Sequence, residues 1–348
     1  MNYSRARITS VFIILLSAIT FACSKNKSPP LTLRETSAEP PEKEALVYSE
    51  PEDSVTIETA NDIKVSYQTQ RPLSGFSGLL PSFGVNLFEI NPVNYTNPDT
   101  AVMKQMGVQP HIISFLNGER HYKNRDYDLA LAEYNTAIKA DALFTEAYIS
   151  RGSTWLRKKE YGRAIDDYSR AIKLDPAKAE IYNYRGFARA ERKETRLAID
   201  DFSRAITLNT LFTDALVNRA HALYEIGDYD RVIDDCDRIL KIEPRNASVF
   251  NRRGSAWYRK EDDDRAIRDF NEAVRIRPDY ALAYHNRGNA WFNKGEFDKA
   301  LADINRALEI NPSYADAYTS RGNIYRLQGN HENAAADYEA ARSPHPAN

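Results

Sequence analysis

The chain has 348 residues with 47 basic and 49 acidic side chains, a formal net charge of −2. That balance lacks the basic excess of a nucleic-acid binder, so no nucleic-acid partner is expected. Two cysteines, Cys23 and Cys236, leave no disulfide framework and no paired-cysteine metal spacing.

In residues 1–22, Arg5 and Arg7 precede an apolar stretch from Ile8 to Ala22, broken only by Thr9, Ser10, Ser17 and Thr20. This is the layout of a cleavable signal peptide. The stretch falls short of the roughly 20 residues that a spanning helix needs. Thr20-Phe21-Ala22-Cys23 resembles the lipobox of bacterial lipoproteins, although Thr20 stands where that motif carries an aliphatic residue. The resemblance implies lipidation at Cys23, with the mature chain anchored to a membrane of the bacterial envelope and facing the periplasm or exterior. Ordinary signal-peptidase cleavage, leaving a soluble periplasmic or secreted protein, is the alternative. Residues 23–54 form a tether, with Pro29, Pro30, Pro40, Pro41 and Pro51 among polar residues. That composition buries too little apolar surface to order itself.

Residues 55–110 have no single pattern. The β-branched alternation over 54–70 around Asn61-Asp62 predicts a hairpin. The stretch 76–95 is apolar without helical or strand period, and 101–107 suits one or two helical turns. The segment reads as an irregular cap on the chain from His111 onward, or as a plug lying in its groove.

From His111 to Asn348 the chain divides into seven units of 34 residues, at 111–144, 145–178, 179–212, 213–246, 247–280, 281–314 and 315–348. The eighth slot of each unit is Gly118, Gly152, Gly186, Ala220, Gly254, Gly288 and Gly322. Slot twenty is alanine in every unit except the fourth, which has Val232. Small residues there let two helices approach closely, and aromatics at slots four and twenty-four fill the remaining space. In unit six Tyr284, Gly288 and Trp291 precede Phe297, Ala300, Ala307 and Pro312. This order resembles the tetratricopeptide repeat. The resemblance implies an all-α fold, a right-handed superhelical solenoid of antiparallel helix pairs in which each pair needs its neighbour to bury one face.

Unit four departs from its siblings with Ala220, Val232, Cys236 and Ile239, and the bulk reads as exchanged rather than lost. Cys236 is then a buried filler. Two charged columns recur beside this core. Slot seven holds Arg151, Arg185, Arg219, Arg253, Arg287 and Arg321, and slot twenty-three holds Asp167, Asp201, Asp235, Asp269, Asp303 and Asp337. An arginine in an inter-helix seam requires an acceptor, so a ladder of ion pairs is expected, with the aspartate in the same or the preceding unit.

In the tetratricopeptide family the first helices line the concave surface. In units two to four the slots facing it carry Glu146, Glu180, Glu191, Asp214 and Glu225 against Arg157. In units five to seven they carry Asn251, Arg252, Tyr258, Arg259, His285, Asn286, Asn289, Phe292, Asn293, Asn323 and Arg326, against Asp316. Asparagine amides hold donor and acceptor together and suit the backbone of an extended peptide, so this half is the expected peptide groove. Its arginines, Arg252 among them, would read acidic side chains or a terminal carboxylate. The carboxylate clamp of some family members is not expected, because slot five holds no lysine.

No Walker loop, G-x-S-x-G elbow or H-E-x-x-H helix occurs, and no cofactor, metal or catalysis is expected. The implied function is a scaffold or adaptor of the cell envelope that binds a protein or peptide. A subunit contributing to a small-ligand site in an enzyme or transporter complex is the alternative. Unit seven is followed by no extra helix, and residual apolar surface there would favour a homo-oligomer.

Overall fold

The computed structural model describes residues 54–58, 64–68, 100, 104 and 108–342. The signal segment, Cys23, the tether up to residue 53 and the apolar stretch 76–95 lie outside the described residues. Strands β1 (Ser54–Glu58) and β2 (Lys64–Gln68) pair antiparallel, with Val55 opposite Tyr67 and Ile57 opposite Val65.

Fourteen helices come next among the described residues, two to a unit. Unit one holds α1 (Pro110–Lys123) and α2 (Tyr127–Ala140), and unit two α3 (Thr145–Arg157) and α4 (Tyr161–Leu174). Unit three holds α5 (Ala179–Glu191) and α6 (Thr195–Leu208), and unit four α7 (Thr213–Glu225) and α8 (Tyr229–Ile242). Unit five holds α9 (Ala247–Arg259) and α10 (Asp263–Ile276), and unit six α11 (Ala281–Asn293) and α12 (Phe297–Ile310). Unit seven closes with α13 (Ala315–Leu327) and α14 (His331–Arg342). The fold is an all-α repeat solenoid.

Each turn between the helices of a unit needs one residue in the left-handed region, where a Cβ is unfavourable. Gly227, Gly295 and Gly329 supply it with φ of 80°, 77° and 78°. Arg125, Lys159, Lys193 and Glu261 adopt the same conformation without glycine, at φ of 60–68°. In unit two the turn closes by Lys159 N–H donating to the Leu156 carbonyl and Glu160 N–H to that of Trp155, both at 2.9 Å. Asp228, Asn246 and Asp262 cap α8, α9 and α10 by accepting backbone N–H groups three residues on. Asp262 belongs to the acidic run Glu261–Asp264, in which Asp264 pairs with Lys294 and Asp263 accepts from Asn293, so the run is a capped turn.

Within a unit the helices meet where slot eight faces slot twenty-four. A Cβ added to Gly118 would lie 2.5 Å from Cε1 of Tyr134, and one on Gly186 2.7 Å from Cε1 of Phe202. The rings of Tyr134, Tyr168, Phe202 and Phe270 are at most 1% exposed. In unit four Ala220 and the Cys236 thiol share that space, both at 0% exposure. In unit six Ile304 replaces the ring against Gly288. Between units, α1 touches α3, α3 touches α5, α5 touches α7, α9 touches α11 and α11 touches α13, so first helices of successive units line up as a wall. Among the described residues no helix is long and apolar enough to cross a membrane.

Candidate functional site

The charged columns meet in pairs. Arg151 donates from Nε and Nη2 to the two carboxylate oxygens of Asp167, at 2.9 and 2.6 Å. The same fork joins Arg185 to Asp201, Arg219 to Asp235, Arg253 to Asp269, Arg287 to Asp303 and Arg321 to Asp337. The acceptor always lies in the arginine's own unit. Each arginine also stacks near its own slot-four ring where that ring is aromatic, as Arg151 does 5.5 Å from the centroid of Tyr148.

A third bond runs between units. Nη1 of the six arginines donates in turn to Asn135, Ser169, Ser203, Asp237, Asn271 and Asn305, all at slot twenty-five of the preceding unit. Sequence reasoning missed this column. Its signal is a short polar side chain sixteen residues ahead of every slot-seven arginine. The guanidinium of Arg253, held by Asp269 and Asp237, has its pKa driven further up. The ladder is internal architecture, and the aspartates lie between 1% and 7% exposed.

The expected peptide groove divides in two. Asn251, Arg252, His285 and Phe292 are 0%, 3%, 4% and 6% exposed, which corrects their placement on the groove surface. The physical reason is that slots five and six lie where first helices of successive units touch. There Asn286 Nδ2 donates to Asn251 Oδ1 at 3.0 Å, and Asn218 Nδ2 donates to Asn183 Oδ1 at 3.0 Å. His285 likewise places Nε2 2.9 Å from Ser320 Oγ and Nδ1 3.0 Å from the Tyr314 hydroxyl. Arg252 sits 3.4 Å from His221 Nδ1. Asn251, Arg252 and His285 therefore stitch units together, and Phe292 packs in the core of unit six.

Tyr258, Asn286, Asn289, Asn293 and Asn323 remain partly exposed, and Arg259 and Arg326 are exposed. The amides are half engaged. Asn289 Nδ2 lies 3.2 Å from His285 Nε2, Asn293 Nδ2 donates to Asp263 at 3.3 Å, and Asn323 Oδ1 accepts from the Tyr338 hydroxyl at 2.8 Å. The Oδ1 atoms of Asn289 and Asn293 are buried and have no protein partner. A buried acceptor left so costs on the order of 1–3 kcal/mol, which a ligand or water would recover. On the acidic half Glu191 accepts from Tyr161, and Glu225 lies near Thr195 and His221.

Burial governs the titration of this wall. It pushes the Cys236 thiol up to about 12, so the thiol is protonated and inert as a nucleophile. It lowers His285 to about 4, and burial together with the charge of Arg252 lowers His221 to about 4. A histidine whose folded pKa is depressed takes protons in the unfolded state first, so stability is full above about pH 6.5 and is lost as pH falls toward 4. At pH 5.5 the loss is expected to be about 1 kcal/mol for each histidine, read as a lower urea midpoint than at pH 7.5. Glu119, Asp167 and Asp269 are raised by burial and act in the opposite sense, gaining stability as the pH falls. Replacing both histidines with asparagine should remove the acid-side loss that they cause.

Tetratricopeptide repeat family models match residues 115–179, 254–295, 281–314 and 304–336. These stretches are tetratricopeptide repeats, the class of unit whose common role is protein–protein interaction. A tetratricopeptide repeat protein from Parabacteroides merdae superposes with a TM-score of 0.56 at 21% identity, over 68% of this chain and 93% of its own. The C-terminal part of a repeat-containing protein from Cytophaga hutchinsonii gives a TM-score of 0.56 at 18% identity, over 67% and 96%. Identities this low speak to the fold alone. No curated protein gives a significant match.

Proposed function

We propose that the chain is a non-catalytic adaptor of the bacterial cell envelope, tethered through a lipid on Cys23, whose repeat units five to seven hold an extended peptide of a partner protein. The observation that carries the groove is the face of α11, where Asn289 and Asn293 keep unpartnered amide oxygens beside the partly exposed Asn286. Amides fixed by one internal bond are pre-organised for a second, external one, which lowers the entropy lost on binding. Arg259 and Arg326 flank that face on the neighbouring units.

Crosslinking capture from the native envelope, with the full chain as bait, tests the groove. Changing Asn286 and Asn289 together to alanine should lower recovery of a specific partner about tenfold, equivalent to about 1.4 kcal/mol, with the melting temperature kept within a few degrees. Recovery that does not change would place the partner elsewhere. For the anchor, Cys23→Ser should move the protein from the membrane fraction to the soluble fraction. Partitioning that stays with the membrane would overturn lipidation.

A further inference from the structure

Slots nine and twenty-four face each other within each unit. Where slot twenty-four is tyrosine, its hydroxyl meets the side chain at slot nine. Tyr134 donates to Glu119 at 2.7 Å, Tyr168 lies 3.1 Å from Ser153 Oγ, and Tyr338 donates to Asn323 at 2.8 Å. In unit six slot twenty-four is Ile304, which has no hydroxyl, yet slot nine is still the polar Asn289. Its Oδ1 is left buried without a partner.

One turn further along α11, Asn293 repeats the situation. Its Nδ2 donates to the Asp263 carboxylate, which only accepts, so its orientation is settled and Oδ1 is the atom left over. Asn286, one turn earlier on the same face, commits its Nδ2 to Asn251. Residues 286, 289 and 293 follow the three-and-four spacing of one helix face. With His285 protonated at Nδ1 toward Tyr314, its Nε2 accepts from Asn289 Nδ2, and that face then offers acceptor oxygens whose companion donors are engaged, with a carboxylate at its end.

We infer that α11 of unit six is a subsite for an arginine side chain of the bound peptide, its guanidinium donating to the oxygens of Asn289 and Asn293. A guanidinium carries five N–H donors and no acceptor in a planar fork, the complement of two acceptors on adjacent turns. The inference rests on the groove proposed for units five to seven and gives it a polarity. Of the arginines from which an acidic ligand was expected, Arg252 is buried, while Arg259 and Arg326 stay exposed on the neighbouring units.

An array of short blocked peptides of randomised sequence, probed with the full chain, tests it. Retained peptides should be enriched about tenfold in arginine over glutamate. Asn289→Ala with Asn293→Ala should weaken retention and remove the enrichment among the peptides that remain bound, and since no charge changes, general attraction to the chain is held constant. Ile304→Tyr should remove the enrichment without deleting any groove side chain, by giving Asn289 the internal hydroxyl found in units one and seven. Enrichment of acidic residues, no side-chain preference among retained peptides, or arginine enrichment that survives these variants would overturn the subsite and leave the groove. Retention of no peptide by any form would overturn the groove itself and the subsite with it.

Discussion

Asp201→Ala is expected to lower the unfolding free energy by about 3–5 kcal/mol, because it strands buried positive charge rather than merely deleting a contact. Asp201 is 3% exposed and accepts from Nε and Nη2 of Arg185 and from Nη1 of Arg189 at 2.7–2.9 Å. Those guanidinium-bearing side chains are 16% and 18% exposed, so water cannot fully replace the lost carboxylate. Urea unfolding would measure the loss, and hydrogen exchange would show it strongest in α5 and α6, since repeat arrays couple mainly to neighbours. Changing Arg185 and Arg189 to methionine and Asp201 to leucine together should recover most of the stability, as expected when a buried charged set is replaced as a whole. A loss below about 1 kcal/mol for the single change would mean that the ladder behaves as a solvent-screened surface pair.

The second large effect lies in unit four. Cys236→Phe should cost about 1–3 kcal/mol, while the same change combined with Ala220→Gly should return the melting temperature to near that of the parent. The geometry of unit three shows why: with Phe202 in place, a Cβ at position 186 would approach Cε1 to 2.7 Å. Ala220 carries that Cβ, and the sulfur of Cys236 is the size the remaining space allows. The reverse pair, Gly186→Ala with and without Phe202→Cys, should mirror the result. If Cys236→Phe alone leaves the melting temperature unchanged, the two slots do not compete for space and the exchange reading fails.

Periodicity carried the fold because every unit repeats the same steric bargain, and seven aligned copies of Gly or Ala opposite a larger residue leave one way to pack. The Arg and Asp columns were legible for the same reason, but the choice of acceptor was not. Slots seven and twenty-three lie sixteen residues apart within a unit and eighteen apart across the boundary, and only geometry separates those two distances. The groove was the harder part. The resemblance assigns slots five and six to the concave surface, whereas Asn251 and Asn286 bond each other across the seam between α9 and α11. Nothing in a single sequence distinguishes an amide that faces a neighbouring helix from one that faces solvent. Likewise, Asn289 and Asn323 occupy the same slot, and only the residue at slot twenty-four, Ile304 or Tyr338, decides whether the amide oxygen is already engaged.

Each slot-seven arginine grips its own aspartate with one side of the guanidinium and reaches back with Nη1 to the unit before it. The connector is thus built to a common gauge, and neighbours are interchangeable at that joint. Excising residues 247–280 as a block would bring Arg287 up to Asp237, a pairing of the kind Arg253 already makes with the same residue. An array with this property can lengthen or shorten by whole-unit duplication or loss without redesigning the joint, so its reach can evolve separately from what its inner wall recognises.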